Sequence, residues 1–379
     1  MRIAGLLQGI SARTKTRSSL KDVSFMMIRT TLTTTFLLSI VCIGCSDVQK
    51  AQTLPSDESS SLAQAVQTPP DYEPYSLAQI ADEMRYPAAE PPTGTVSRHG
   101  EVEYLGHNVF GLHWYVEAND AVWHFVTAGD PVNEAILLVH GHPDTWWSWH
   151  EVMALLSDDF YVIAVDTLGY GQSDKRLELD LTYAGVAEGL EAFMDALDID
   201  TFNLVGHDRG AVLGDHMVAR DSLNPRILAY LRMQQSADQP HGFPRPAHEE
   251  MATVEFHADE GLIYRIYDSN YFSVDMPQDH RDRAHWEYFF PGTAEASAKL
   301  FESAGFDQEL EFRLAEVFPR MTMPVVFMQG AHDPGQHPEE YWRTSEMVPN
   351  GQVLIVDTNH FIQAENPALV AETARDFFD

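Results

Sequence analysis

The sequence predicts an α/β architecture: a mostly parallel sheet with helices on both faces and a helical segment inserted late in the chain. Three observations carry this. Beyond residue 130, apolar runs of strand length alternate with helical stretches. One such run, Phe202 to Val205, passes through Gly206-His207-Asp208-Arg209-Gly210 directly into a helical pattern that reaches about Ala219. Residues 237–319, by contrast, show no strand periodicity and are rich in aromatic and helix-forming residues.

In chain order, residues 1–45 read as a signal peptide. Six basic residues and one acid precede an apolar, Thr-rich run, Thr30 to Gly44, which is too short for a comfortable membrane span and fits an h-region. Met26 or Met27 would give that signal an ordinary length. Cys42-Ile43-Gly44-Cys45 resembles a bacterial lipobox with Cys42 in place of the usual Leu, so Cys45 is the expected lipidation site. The expectation is an exported bacterial lipoprotein held at a membrane only by its lipid. Residues 46–95, rich in Ser, Gln, Pro and acids, read as a flexible tether, with a short helix expected near Ser76 to Met84.

Residues 96–236 and 320–379 read as two parts of one core, with strands expected at 102–106, 112–116, 121–127, 135–139, 160–165, 202–206, 227–233, 324–329 and 352–356. Residues 237–319 read as a helical segment between these two parts.

The 57 acidic and 24 basic residues give a net charge of −33. Because residues 1–45 hold six of the basic residues and one acid, the remainder carries −38. Such a field repels nucleic acid and anionic head groups, so neither is an expected partner. Both cysteines, Cys42 and Cys45, lie in the leader, which leaves no disulfide framework for the folded part.

Chemistry concentrates at four places. Gly206-x-Asp208-x-Gly210 has the strand, sharp turn and helix of a nucleophile elbow, with small residues two places either side of a carboxylate. At a helix N-terminus that carboxylate stays ionised and can attack carbon; the plainer reading is an Asp that caps a helix. Upstream, Ala135 to Val139 leads into His140-Gly141-His142-Pro143, followed by Trp146-Trp147. Late in the chain, Gly330-Ala331-His332-Asp333 and Asn359-His360-Phe361 each follow a strand. A metal reading of His140-x-His142-x-Asp144 lacks the His expected at Thr145, and His248-Glu249-Glu250-Met251-Ala252 lacks the second imidazole of a zinc protease helix. No metal or cofactor is expected.

Together, His140-Gly-x-Pro143, Gly206-x-Asp208-x-Gly210, Gly330-x-x-Asp333 and His360 with Phe361 and Gln363 resemble the aspartate-nucleophile α/β-hydrolases, meaning epoxide hydrolases and haloalkane and haloacetate dehalogenases, over residues 100–379. The resemblance implies an eight-stranded sheet with an inserted helical cap. It also implies Asp208 as nucleophile, His360 as base, and Asp333 as the acid that orients it. Some relatives place that acid after the preceding strand, which points to Asp238. The backbone N–H groups of His142 and Arg209 would form the oxyanion hole.

The leaving group divides the branches. Haloalkane dehalogenases carry Trp after the nucleophile, where this chain has Arg209. His-Asp-Arg-Gly resembles haloacetate dehalogenases, whose arginines bind the substrate carboxylate, yet the position of their second Arg is Val212. The acidic field also opposes an anionic substrate unless Arg209 dominates locally. His285-Trp286-Glu287-Tyr288 before Pro291-Gly292-Thr293-Ala294-Glu295 resembles the epoxide-hydrolase segment, with His285 where the ring-activating Tyr stands. The same His-Trp pair would contact halide in a haloacetate dehalogenase. His285, Trp286, Trp146 and Tyr288 are thus the leaving-group candidates. Phe312 replaces the second phenol, a role Tyr264, Tyr267 or Tyr271 could take. The expectation is hydrolysis of a small apolar electrophile, an epoxide ahead of a halide, with a non-catalytic tethered binding lipoprotein as the rival of another class.

Overall fold

The computed structural model describes residues 86–237, 245–306, 308–341 and 343–378. The leader with Cys45, the tether up to residue 85 and Asp238 lie outside the described residues.

Nine strands form one sheet among the described residues: β1 (Val102–Gly106), β2 (Val109–Ala118), β3 (Ala121–Ala128), β4 (Ala135–Val139), β5 (Tyr161–Val165), β6 (Phe202–His207), β7 (Ile227–Met233), β8 (Val325–Gly330) and β9 (Gly351–Val356). Their spatial order is β1-β2-β3-β5-β4-β6-β7-β8-β9. The sheet therefore exceeds by one strand the eight that the resemblance implies. From β5 to β9 every pairing is parallel, while β1, β2 and β3 pair antiparallel at one end. β4 and β5 are buried along their whole length, as central parallel strands covered on both faces must be.

The helices are α1 (His150–Leu156), α2 (Tyr183–Ala196), α3 (Arg209–Val218), α4 (Arg245–Met251), α5 (Val254–His257), α6 (Leu262–Tyr267), α7 (Gln278–Tyr288), α8 (Thr293–Ser303), α9 (Glu309–Phe312), α10 (Thr344–Met347), α11 (Ile362–Glu365) and α12 (Pro367–Phe378). α2 starts where Thr182 Oγ1 accepts the Gly185 N–H at 3.1 Å, which satisfies one of the first-turn donors. Two apolar layers sandwich the sheet. Val186, Leu190 and Phe193 of α2 with Val212 and Met217 of α3 fill one; Val152, Met153 and Leu156 of α1 with Val370 and Ala374 of α12 fill the other. Between β7 and β8 the described residues contain helices and no strand.

This topology brings the C-terminal ends of five neighbouring strands, β4, β6, β7, β8 and β9, to one edge. Val139 is in register with Gly206, Gly206 with Arg232, and Gly330 with Val356. The loops after β4, β6, β8 and β9 therefore open at the same place, where sheets of this kind bind ligands.

Candidate active site

Asp208 sits at the junction of β6 and α3 with φ 51° and ψ −121°, a strained conformation for a residue with a side chain. Gly210 makes the turn possible: a Cβ there would lie 2.2 Å from the Val139 carbonyl oxygen and 2.5 Å from that of His140. The β4 loop thus lies directly against the turn. Within it the His142 N–H donates to Asp208 Oδ1 at 3.0 Å. The other oxygen, Oδ2, lies 3.6 Å from His360 Nε2.

His360 follows β9, and its Nδ1–H donates to Asp333 Oδ2 at 2.7 Å. Asp333 is fixed in turn. Its Oδ1 accepts the N–H groups of Gly335 at 2.8 Å and Gln336 at 3.1 Å, and Oδ2 also accepts from Gln234 Nε2 at 2.9 Å. Gln234, in the left-handed region with φ 46°, donates as well to the Asn359 carbonyl at 2.6 Å and accepts the Gly330 N–H at 2.5 Å. One buried carboxamide therefore ties together the ends of β7 and β8 and the His360 loop. Sequence reasoning missed it; the available signal was a polar residue directly after an apolar strand.

The charges follow from the geometry. Burial alone would push Asp208 up, yet the hydrogen bond and charge of His360, with His207 and Arg209, hold its carboxyl well below the usual range. Burial would lower His360, but the Asp333 charge and the hydrogen bonds to both carboxylates raise it to about 10. The resting pair is carboxylate and imidazolium. Asp144 behaves oppositely: burial first, then the Asp208 charge, raises it to about 7, against His360 and the Gln363 amide. Gln363 Nε2 donates to Asp144 Oδ2 and to His207 Nδ1, both at 3.1 Å.

Above this group lies a cavity of about 160 Å³. Its polar lining is His142, Asp208, Arg209, Tyr271 and His360; Met251, Phe256, Leu262, Ile266, Phe301 and Phe306 supply apolar walls from the helical insertion. Tyr271 belongs to a strap laid over the His360 loop. Its carbonyl accepts the His360 N–H at 3.0 Å, the Asn270 carbonyl accepts from Asn359 Nδ2 at 2.5 Å, and Phe272 stacks on Phe361 at 4.6 Å. The Tyr271 and His360 ring centroids are 5.3 Å apart. Burial, with the charges of Asp333 and Asp208, pushes the Tyr271 phenol up to about 12, so it holds its proton at neutral pH.

Of the sequence-expected residues, the structure brings Asp208, His360, Asp333, His142 and Arg209 together. It does not bring the four leaving-group candidates to the cavity wall. His285 Nε2 pairs with the Glu260 carbonyl at 3.1 Å, on the far side of α7. Trp286 is 42 % exposed beside Phe290. Trp146 is fully buried in the core, edge-on to His113. Tyr288 is buried too, with its hydroxyl on His257 Nδ1 at 2.9 Å. A helical segment's outward and inward residues are set by its packing, which residue order alone does not specify. The histidines and acid of His140-x-His142-x-Asp144 also part company: His140 Nδ1–H donates to Gly141, His142 Nδ1 meets the Tyr170 hydroxyl, and Asp144 meets Gln363. Ser173 Oγ donates to the Asp166 carbonyl at 2.6 Å, a structural bond.

Comparison with known proteins agrees with this fold. A family model described as alpha/beta hydrolase fold matches residues 134–259. A soluble epoxide hydrolase of Corynebacterium sp. (strain C12) is 26% identical over 276 residues, covering 67% of this chain and 93% of that protein. Among solved structures, the epoxide hydrolase CorEH without ligand superposes with a TM-score of 0.57 at 20% identity, over 71% of this chain and 98% of that one. A putative ancestral haloalkane dehalogenase does so with a TM-score of 0.61 at 19% identity, over 70% and 97%.

Proposed function

We propose that this chain, which is similar to α/β-hydrolases in its family-model match, its relatives and its fold, is an epoxide hydrolase acting through a covalent ester on Asp208. The observation that carries the reading is the Asp208 carboxylate itself: ionised, held on a strained turn, with one oxygen on the His142 N–H and the other beside an imidazolium, under an apolar cavity. The likeness to an epoxide hydrolase over most of both chains supports the same reaction class.

Asp208 attacks an epoxide carbon, a carbon–oxygen bond of the ring breaks, and Tyr271 gives its proton to the released oxygen. The phenolate takes a proton from the His360 imidazolium, whose excess basicity has fallen because Asp208 is now an uncharged ester. Neutral His360 then accepts a proton from water, and the hydroxide attacks the ester carbonyl. The N–H groups of His142 and Arg209 stabilise the resulting oxyanion. Collapse frees the diol and restores carboxylate, imidazolium and phenol. Asp333 acts through His360, fixing its tautomer and its charged form. The residues between β7 and β8 act as the cap that keeps bulk water out.

The phenol favours an epoxide over a halide. Halide release needs N–H donors such as tryptophan, and Trp146 and Trp286 lie away from the cavity. The experiment is a panel of neutral epoxides and haloalkanes assayed for diol and halide with wild type, Asp208→Ala, His360→Gln and Tyr271→Phe. Diol formation is expected to vanish in Asp208→Ala and to fall about a hundredfold or more in Tyr271→Phe. His360→Gln should accumulate an adduct of protein plus epoxide mass. Halide without diol, or turnover surviving Asp208→Ala, overturns the reading. We infer also that the chain is exported and lipidated at Cys45, which Cys45→Ser and membrane fractionation check.

A further inference from the structure

Arg209 directly follows the nucleophile and lines the cavity, yet its charge is already matched. The guanidinium is 5% exposed and lies between two rings, 4.7 Å from the centroid of Tyr183 and 4.8 Å from that of Phe306. Nε donates to the Tyr183 hydroxyl at 2.6 Å, and Nη2 donates to Glu309 Oε1. Glu309 comes from α9, far along the chain, and is itself only 6% exposed. Its other oxygen is 3.5 Å from Arg313 Nη1. Behind this group Arg232 and Asp215 close on each other at 2.8 Å, and in front of it Asp208 faces His360. Among the described residues, Arg209 thus has a buried carboxylate in direct contact with its guanidinium.

Resting on the reading that a substrate occupies the cavity over Asp208, we propose that Glu309 is a specificity-determining residue: by neutralising Arg209 it makes the site select uncharged electrophiles and reject carboxylates of the same size. The physical reason is that an entering carboxylate would approach two anions, Asp208 and Glu309, while the guanidinium's charge is already balanced. Desolvating it against the phenylalanine and leucine walls has no compensating ion pair. A neutral ester, amide or ether escapes that cost. The remaining nitrogen, Nη1, is buried with no hydrogen-bond partner among the described residues, so one donor is left over while the charge is met by Glu309. The class assigned is a small neutral epoxide, not an acid. Removing Glu309 takes from Arg209 the carboxylate it is paired with and should admit an anion.

The test uses matched pairs. Turnover is compared for glycidamide and glycidate, and binding for the unreactive isobutyramide and isobutyrate, on wild type, Glu309→Gln and Glu309→Asp. Wild type should favour the amide by about thirtyfold or more, a repulsion expected of one unit charge a few ångströms from another at a partly screened buried site. That preference should survive high salt, because a buried pair is screened little whereas the chain's overall acidic field is screened out. Glu309→Gln should cut the preference about tenfold or more by strengthening isobutyrate binding, and Glu309→Asp should keep it. A wild type that binds isobutyrate as well as isobutyramide, a preference that disappears in salt, or an unchanged preference in folded Glu309→Gln would each overturn the proposal. Where Glu309→Gln does not fold, the wild-type comparison and its salt dependence decide alone. Binding needs no reaction, so selective binding without turnover of glycidamide refutes the hydrolase reading and leaves the selectivity standing, whereas turnover with equal binding does the reverse.

Discussion

In the proposed mechanism, replacing Asp333 by Asn separates the two chemical steps, because it acts on the base and leaves the nucleophile in place. In the native site His360 rises from an ordinary 6.5 to about 10 despite burial, with the Asp333 charge the largest of the raising influences. At 1.36 kcal/mol per unit, the two carboxylates favour the imidazolium by on the order of 5 kcal/mol beyond its burial cost. Without the Asp333 charge the largest raising influence is lost, which brings the alkaline limb of the rate profile down from about 10. The amide also offers a donor where Nδ1–H needs an acceptor, so part of the population holds the wrong tautomer. Ester hydrolysis should therefore slow by on the order of 10³ to 10⁴, as in other imidazole–carboxylate pairs. Alkylation of Asp208 should slow far less, since that carboxylate keeps its His142 N–H. Single-turnover quench with a neutral epoxide, followed by intact-protein mass spectrometry from about pH 6 to 10, reads both steps. An adduct that never accumulates, with both steps reduced alike, or a limb that stays near 10, would refute the assignment of His360 and Asp333.

Asp144 makes a prediction of opposite sign for stability. Its folded value of about 7 lies above the ordinary carboxyl value, so the native state holds a proton that the unfolded chain releases, and stability falls as pH rises from about 4 to about 7. Asp144→Asn should accordingly raise Tm clearly at pH 8 and little at pH 4.5; equal shifts at both would show that no proton is involved. Gly210→Ala places a methyl against two backbone carbonyls that cannot move independently of β4. A loss of about 1–3 kcal/mol or more is expected by denaturant titration, and an unchanged midpoint would mean that the turn is not held by this contact.

How far the sequence could be read depended on whether a residue's position is set by its own neighbours in the chain. The strand at 102–106 appears where apolar periodicity puts it, and the helix expected from Arg209 to about Ala219 ends at Val218. Asp208, Asp333 and His360 each stand within four residues of a strand's last position, so once parallel pairing aligns β6, β8 and β9 these side chains have little freedom to diverge. β2 runs longer than expected, from Val109, because its outer residues pair with β1 and gain partners that periodicity does not reveal.

The insertion obeys a different rule. α7 carries His285, Trp286 and Tyr288 within one turn, and helical spacing points Trp286 away from the side on which His285 and Tyr288 lie. Which of them faces the cavity depends on how the helix is rotated, and that is fixed by distant contacts: Arg283 of α7 reaches Glu103 of β1 at 3.2 Å and lies over the Trp147 ring at 4.6 Å. With those contacts made, His285 turns toward Glu260 and Tyr288 toward His257. Tyr271 reaches the cavity instead, because the Asn270 and Tyr271 carbonyls accept hydrogen bonds from the loop that carries His360 and the Ser273 N–H donates to Glu365 of α11. The same logic hides Glu309, one hundred positions from the guanidinium it neutralises. Motif spacing locates groups anchored to strand ends; Tyr271 and Glu309, to which leaving-group protonation and substrate charge selection are assigned in the proposals above, ride on a strap and a helix placed by the remainder of the fold. A segment of similar sequence can therefore keep the groups at the strand ends while exchanging the residue that faces them across the cavity, and in the mechanism proposed for this chain that residue is the Tyr271 phenol on the strap.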